Sequence, residues 1–86
     1  EDYYDQGMAE IAKALLSQLA RANSLSREEL WNLYMQETEG KGNEDDFSYL
    51  LSDLENDFYI IHDVTEERYR FATKVLQDWW LRYHAA

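Results

Sequence analysis

The chain has 86 residues, no cysteine and a formal charge of −10, from 18 acidic and eight basic residues. That length carries one modest core rather than a catalytic domain plus a separate ligand domain, and the lack of thiols excludes a disulfide framework and a thiolate metal site, favouring a reducing, cytoplasmic setting. The acidic balance repels phosphate backbones and anionic lipid, and the longest apolar run, Phe58 to Ile61, falls far short of the ~20 residues that span a bilayer.

Glu1 to Gly7 is polar, acidic and tyrosine-bearing, and is expected to be a lead-in segment. From Met8, apolar residues recur at Ile11, Ala12, Leu15, Leu16 and Leu19, the spacing of an amphipathic helix that runs to about Ala22. Asn23 and Ser24 break the pattern. Ser26 followed by Glu29 is a capping box that starts a second helix at Arg27, with Leu30, Leu33 and Tyr34 on one face. That helix frays into Glu39, Gly40, Lys41 and Gly42, whose glycines permit a left-handed exit. Asn43 caps a third helix: Glu44, Asp45 and Asp46 complement the positive end of its dipole, and Phe47, Leu50, Leu51 and Leu54 form its apolar stripe. It should end near Asn56 or Asp57.

The character then changes. Phe58, Tyr59, Ile60 and Ile61 predict one strand, and the alternation of Arg68, Tyr69, Arg70 and Phe71 predicts a second. The short polar stretch from His62 to Glu67 joins them as an antiparallel hairpin. Thr73 caps a last helix carrying Leu76, Trp79, Trp80 and Tyr83. The predicted fold is therefore mostly helical with a small hairpin: a winged helix-turn-helix, three helices followed by a two-stranded wing and a C-terminal helix.

The run Leu50-Leu51-Ser52-Asp53-Leu54, the strand Phe58-Tyr59-Ile60-Ile61 and the segment from Arg68 to Trp80 narrow this further. They resemble the winged-helix domains that follow the nucleotide-binding core of archaeal-type and STAND-type AAA-related ATPases. In that group a wing strand reading roughly Tyr-Arg-Phe runs into a helix with a polar cap, a leucine and an aromatic pair, as Tyr69 to Trp80 does. The resemblance covers about Ile11 to Tyr83 and implies that residues 1–86 are a single winged-helix domain cut from a larger protein. It implies no ATPase chemistry here. The Gly40-Lys41 pair has Met35 at the first glycine position of a phosphate-binding loop and Gly42 in place of its hydroxyl residue.

In a DNA-reading winged helix the third helix needs Arg, Lys, Asn or Gln to meet phosphates and base edges. From Asn43 to Asn56 this chain has five carboxylates, with Asp45, Asp46, Asp53 and Glu55 among them, and no Lys or Arg. Duplex binding through this helix is disfavoured. Arg68, Arg70, Lys74 and Arg82 form a locally basic stretch beside Glu66, Glu67 and Asp78, which ordinary cross-strand and i, i+4 pairing accounts for, Lys74 with Asp78 for example. His62 and His84 are too few for a structural zinc site, Glu44-Asp45-Asp46 lacks the pattern of a calcium loop, and no catalytic set is identifiable.

The expected function is a non-catalytic module, without cofactor or metal, that contacts a protein partner or an adjacent domain. The candidate interaction residues are Asp45, Asp46, Asp53, Glu55, Arg68, Arg70 and Trp80. The alternative is a transcriptional regulator that touches duplex DNA through its wing; an acidic mimic of nucleic acid is a third reading. The sequence leaves open the oligomeric state and which of Trp79 and Trp80 is exposed.

Overall fold

The computed structural model describes residues 6–84. Among these the elements follow in the order α1 (Gln6–Ala22), β1 (Leu25–Ser26), α2 (Arg27–Glu37), α3 (Glu44–Asn56), β2 (Ile60–Asp63), β3 (Arg68–Phe71) and α4 (Lys74–Tyr83). Mostly helical, the chain also has a three-stranded antiparallel sheet of order β1-β3-β2. Residues 1–5 of the expected lead-in lie outside the described residues, while Gln6 and Gly7 belong to the first turn of α1.

Capping defines the helix starts as the sequence requires. The Ser26 hydroxyl accepts from the Glu29 amide at 3.1 Å and the Glu29 carboxylate accepts from the Ser26 amide at 2.8 Å, the reciprocal pair of a capping box. Asn43 Oδ1 accepts from the Asp46 amide at 2.8 Å, and Thr73 Oγ1 from the Leu76 amide at 3.0 Å. Each bond satisfies an amide that the first turn of a helix would otherwise leave unpaired, worth about 1 kcal/mol apiece.

The helices end where expected, α1 at Ala22 and α3 at Asn56, and Gly40 takes φ 79, but a non-glycine residue makes the first left-handed step at the exits of α2 and α3. Both α2 and α3 close in Schellman motifs, where the residue after the C-cap takes the left-handed conformation. After α2 that residue is Glu39 (φ 57), with the Gly40 amide donating to Met35 O at 2.8 Å. After α3 it is Phe58 (φ 66), with the Tyr59 amide donating to Leu54 O at 3.0 Å and the Phe58 amide to Glu55 O at 3.0 Å. Phe58 therefore belongs to a helix exit, not to the strand that its side chain predicted. The first strand of the hairpin begins two residues later, at Ile60.

β1 has no counterpart in the sequence reading, because two residues show no alternation for a period to be read from. Its partner is β3: Leu25 pairs with Tyr69 and Ser26 with Arg68. On the other edge of β3, Ile60 pairs with Phe71, Ile61 with Arg70, His62 with Tyr69 and Asp63 with Arg68. At the hairpin tip, Asp63 Oδ1 accepts from the amides of Thr65 (3.0 Å) and Glu66 (3.2 Å), and Glu67 takes φ 57. An Asx-type turn thus supplies the reversal that a glycine would otherwise provide.

Leu15, Leu16 and Leu19 of α1, Leu30 and Tyr34 of α2, Phe47, Leu50, Leu51 and Leu54 of α3, Ile60, Tyr69 and Phe71 of the sheet and Trp80 of α4 close the core. Burying each such side chain contributes roughly 1.5–3 kcal/mol. Trp31, Tyr34 and Phe47 meet with ring centroids 5.1 to 5.6 Å apart, joining α2 to α3. Arg27 seals this joint from outside: its guanidinium lies 4.9 Å from the Phe47 ring centroid and donates to Glu44 Oε2 at 3.0 Å and Ser48 Oγ at 2.7 Å. On the far side, α4 packs across α1 and β3. There the Gln77 side chain donates through Nε2 to Ala20 O at 2.9 Å and Asn23 Oδ1 at 2.7 Å, tying the end of α1 to α4.

Candidate functional site

The tryptophan ambiguity resolves against the expected site residue. Trp80 is 5% exposed and sits in the core, whereas Trp79 is 46% exposed. The reason lies in its partners: Trp80 faces Tyr59 and Phe71 and donates its indole N–H to Ser17 Oγ at 3.0 Å, an arrangement available only on the side of α4 turned toward α1 and the sheet. A step of ~100° along the helix turns Trp79 away from that side.

Trp79 is not isolated. Val75 (79% exposed), Trp79 and Tyr83 (62%) stand at i, i+4 and i+8 on α4, so their side chains line up along one face. The Trp79 and Tyr83 rings are 5.4 Å apart. Beside them, Asp78 and Arg82 complete the wall of a shallow hollow of about 290 Å³ lined by Val75, Asp78, Trp79, Arg82 and Tyr83.

Trp79 also separates this hollow from a second one. A groove of about 350 Å³ runs between α1, the end of α3 and α4, with Ala12, Leu16, Leu54, Tyr59, Trp79 and His84 among its lining residues. His84 stacks on Trp80, another lining residue, with ring centroids 4.3 Å apart. Asp57 and Tyr59 both line the groove, and between them stands Phe58, 80% exposed. A bulky residue in the left-handed conformation costs roughly 1–2 kcal/mol relative to a right-handed one, and this exposed ring has little burial to offset that.

The acidic residues expected to form a contact face on the third helix do not share one. Asp45 is exposed in the first turn of α3, and Asp46 is engaged with its own cap, accepting from Asn43 Nδ2 at 3.1 Å. Asp53 is 7% exposed and Glu55 is half-buried. The exposed line of α3 is Asp45, Tyr49, Ser52 and Asn56. Asp53 lies only ~60° around the helix from Leu50, which turns it toward the protein rather than outward. The acidity of α3 is thus concentrated in its first turn, and its most outward line carries one carboxylate and no cation.

The wing arginines are engaged with their own chain. Arg68 donates through Nε to Ser24 Oγ at 2.8 Å and through Nη2 to Ser24 O at 3.1 Å and Glu29 Oε1 at 3.3 Å. Arg70 donates to Asp63 Oδ2 at 2.7 Å, and this bond, with amide bonds from the turn, holds the Asp63 carboxyl below the usual carboxylate range. The Ser26 amide and Arg68 lower Glu29 in the same way. Lys74 and Asp78 form the expected i, i+4 pair at 3.4 Å. The exposed hairpin tip presents Val64, Glu66 and Glu67.

His62 stacks on Tyr69 at 4.4 Å, and among the described residues no group of three or more His, Asp or Glu side chains is placed to hold a metal ion. No described helix is long and apolar enough to cross a membrane. Of this exposed face, the sequence left Trp79 open against Trp80 and put Trp80 among the contact residues, and it named neither Val75 nor Tyr83 as one. The i, i+4, i+8 spacing of Val75, Trp79 and Tyr83 was readable, but nothing in the sequence said which side of the last helix the core would take. Phe58 carried no signal, since its type argues for a strand. Comparison with known proteins finds no matching family model, no similar curated protein and no similar solved structure.

Proposed function

We propose that this chain is a non-catalytic winged-helix module that makes protein contacts through the outer face of α4 and the adjoining end of α3. The observation that carries this reading is the exposed line Val75, Trp79 and Tyr83; Phe58 is exposed as well, between Asp57 and Tyr59, which line the adjoining groove. Aromatic residues standing in contiguous exposed positions are the composition of interaction hot spots rather than of an ordinary solvated helix face. The order helix, strand, helix, helix, hairpin, helix supports the winged-helix layout, with β2 and β3 as the wing. The resemblance of Tyr69 to Trp80 to the winged-helix domains that follow AAA-related ATPase cores supports a role beside such a core.

The alternative, duplex binding through the wing, is served poorly by the side chains it would use. Arg68 and Arg70 are held by Ser24, Glu29 and Asp63, and the hairpin tip ahead of them is acidic. Freeing either guanidinium for a phosphate would leave a carboxylate behind at the DNA surface.

A photo-crosslinking residue placed at Trp79 in the full-length protein in cells tests the proposal, with the same residue at exposed Asn32 on α2 as control. Protein adducts from position 79 and none from position 32 are expected. Adducts to nucleic acid, or equal yields at both positions, contradict the proposal.

A further inference from the structure

We infer that the partner seated on the outer face of α4 is a second copy of this chain, with the two α4 helices packed antiparallel about a two-fold axis beside Trp79. The inference rests on the reading of that face as a contact surface and adds what covers it.

The hollow on α4 has the form that helix pairing requires. Val75, Asp78, Trp79 and Arg82 stand at i, i+3, i+4 and i+7, the four corners of a hole that receives one knob from a facing helix. The level of the hole along the helix is that of Trp79 itself, so a two-fold axis there brings Trp79 of each copy to the hole of the other. One side chain is both knob and rim, which is what a self-complementary patch demands.

Charge selects the same occupant. With −10 per chain, two copies repel at most approaches. α4 is different: it carries Lys74 and Arg82 against the single carboxylate of Asp78. Lys74 pairs with Asp78, while Arg82 has no carboxylate partner among the described residues. In an antiparallel pair centred on Trp79, Asp78 of one copy and Arg82 of the other lie within about one helical turn (~5.4 Å) of the same level on the same flank. Two symmetric ion pairs result, each bringing a carboxylate to Arg82. A strongly basic partner, by contrast, would be drawn to the carboxylates elsewhere on the chain and would meet Arg82 here.

The face is narrow, so the area buried per copy is well below the ~800 Å² per partner of a standard stable complex. Association is therefore concentration-dependent. Sedimentation of the purified chain between about 10 µM and about 1 mM, the range for a small interface, should show the mass rising from 10.3 kDa toward twice that value. Asp78→Arg alone or Arg82→Asp alone sets like charges against each other and should move the midpoint of association upward by about tenfold or more, whereas the double exchange re-forms opposite pairs and should bring it back to within about threefold of the unaltered chain. Circular dichroism of each variant checks that the fold is kept. A mass that stays monomeric across the range overturns the inference, and so does a double exchange no better than the single ones. If the chain is monomeric yet position 79 still crosslinks to a different protein in cells, the contact surface stands and only the identity of its occupant is wrong.

Discussion

The indole N–H of Trp80 donates to the Ser17 hydroxyl at 3.0 Å and so fixes which way α4 is rolled against α1. That bond and the burial around it divide the tryptophan pair into a core residue and a surface residue. Trp80→Ala should lower unfolding stability by about 3–5 kcal/mol, as for other large core truncations. Trp79→Ala should change it by less than about 1 kcal/mol, the range of surface substitutions. Urea denaturation of both variants measures the contrast, and equal losses would contradict the assignment.

Phe58 occupies a left-handed position that favours glycine, with its ring in solvent. Phe58→Gly should therefore stabilise the isolated chain by about 0.5–1 kcal/mol, the relief of the left-handed penalty less the added freedom of the unfolded glycine. In cells it should at the same time lower the crosslinking yield from position 79. A gain in stability joined to a loss of contact marks a residue kept for binding rather than for folding.

Gly42 is required by proximity. A Cβ added there would lie 2.7 Å from Tyr34 Cζ and 2.9 Å from Thr38 Oγ1, and Tyr34 is only 2% exposed, with little room to yield. Gly42→Ala should destabilise the chain by about 1–3 kcal/mol through overpacking. Gly40→Ala meets nothing within 4 Å; its effect comes from φ +79 alone and should be about 1 kcal/mol. Thermal melts of the two variants separate steric from backbone causes.

Asp63, bonded to Arg70, and Glu29, bonded to the Ser26 amide and Arg68, both titrate below ordinary carboxylates in the folded chain. Between those lowered values and the ordinary range near pH ~4, the unfolded chain binds more protons than the folded one. The stability they contribute is present above that range and is lost as the pH falls through their folded values. In an Asp63→Asn, Glu29→Gln double variant the urea midpoint should decline less steeply on acidification below pH ~4 than in the unaltered chain. Identical slopes would show that the two bonds do not couple folding to protonation.

Much of this architecture is legible from residue order because local chemistry sets it. Ser26, Asn43 and Thr73 start their helices where a capping side chain is available, and the apolar stripes from Ile11 to Leu19 and from Phe47 to Leu54 do face the core. What could not be read depends on neighbours distant in the chain. β1 exists because Leu25 and Ser26 meet Tyr69 and Arg68, more than forty positions onward. The roll of α4 is set by Ser17, Tyr59 and Phe71. Asp53 looked like part of an acidic face because charge was counted along α3 rather than around it. The arginines of the wing were read both as paired and as candidate contacts; Arg70 does pair across the hairpin with Asp63, whereas Ser24 and Glu29, the partners of Arg68, lie about forty positions earlier in the chain.

Hydroxyl-radical oxidation tests the position of the contact surface most directly, since it reads aromatic side chains one by one in the assembly with the partner in place and in the dilute isolated chain. Trp79, Tyr83 and Phe58 should all be oxidised in the isolated chain and protected in the assembly, while Tyr49, 51% exposed on the outer line of α3, should react equally in both. Protection of Tyr49 with Trp79 and Tyr83 left reactive would place the contact on α3 and contradict the account.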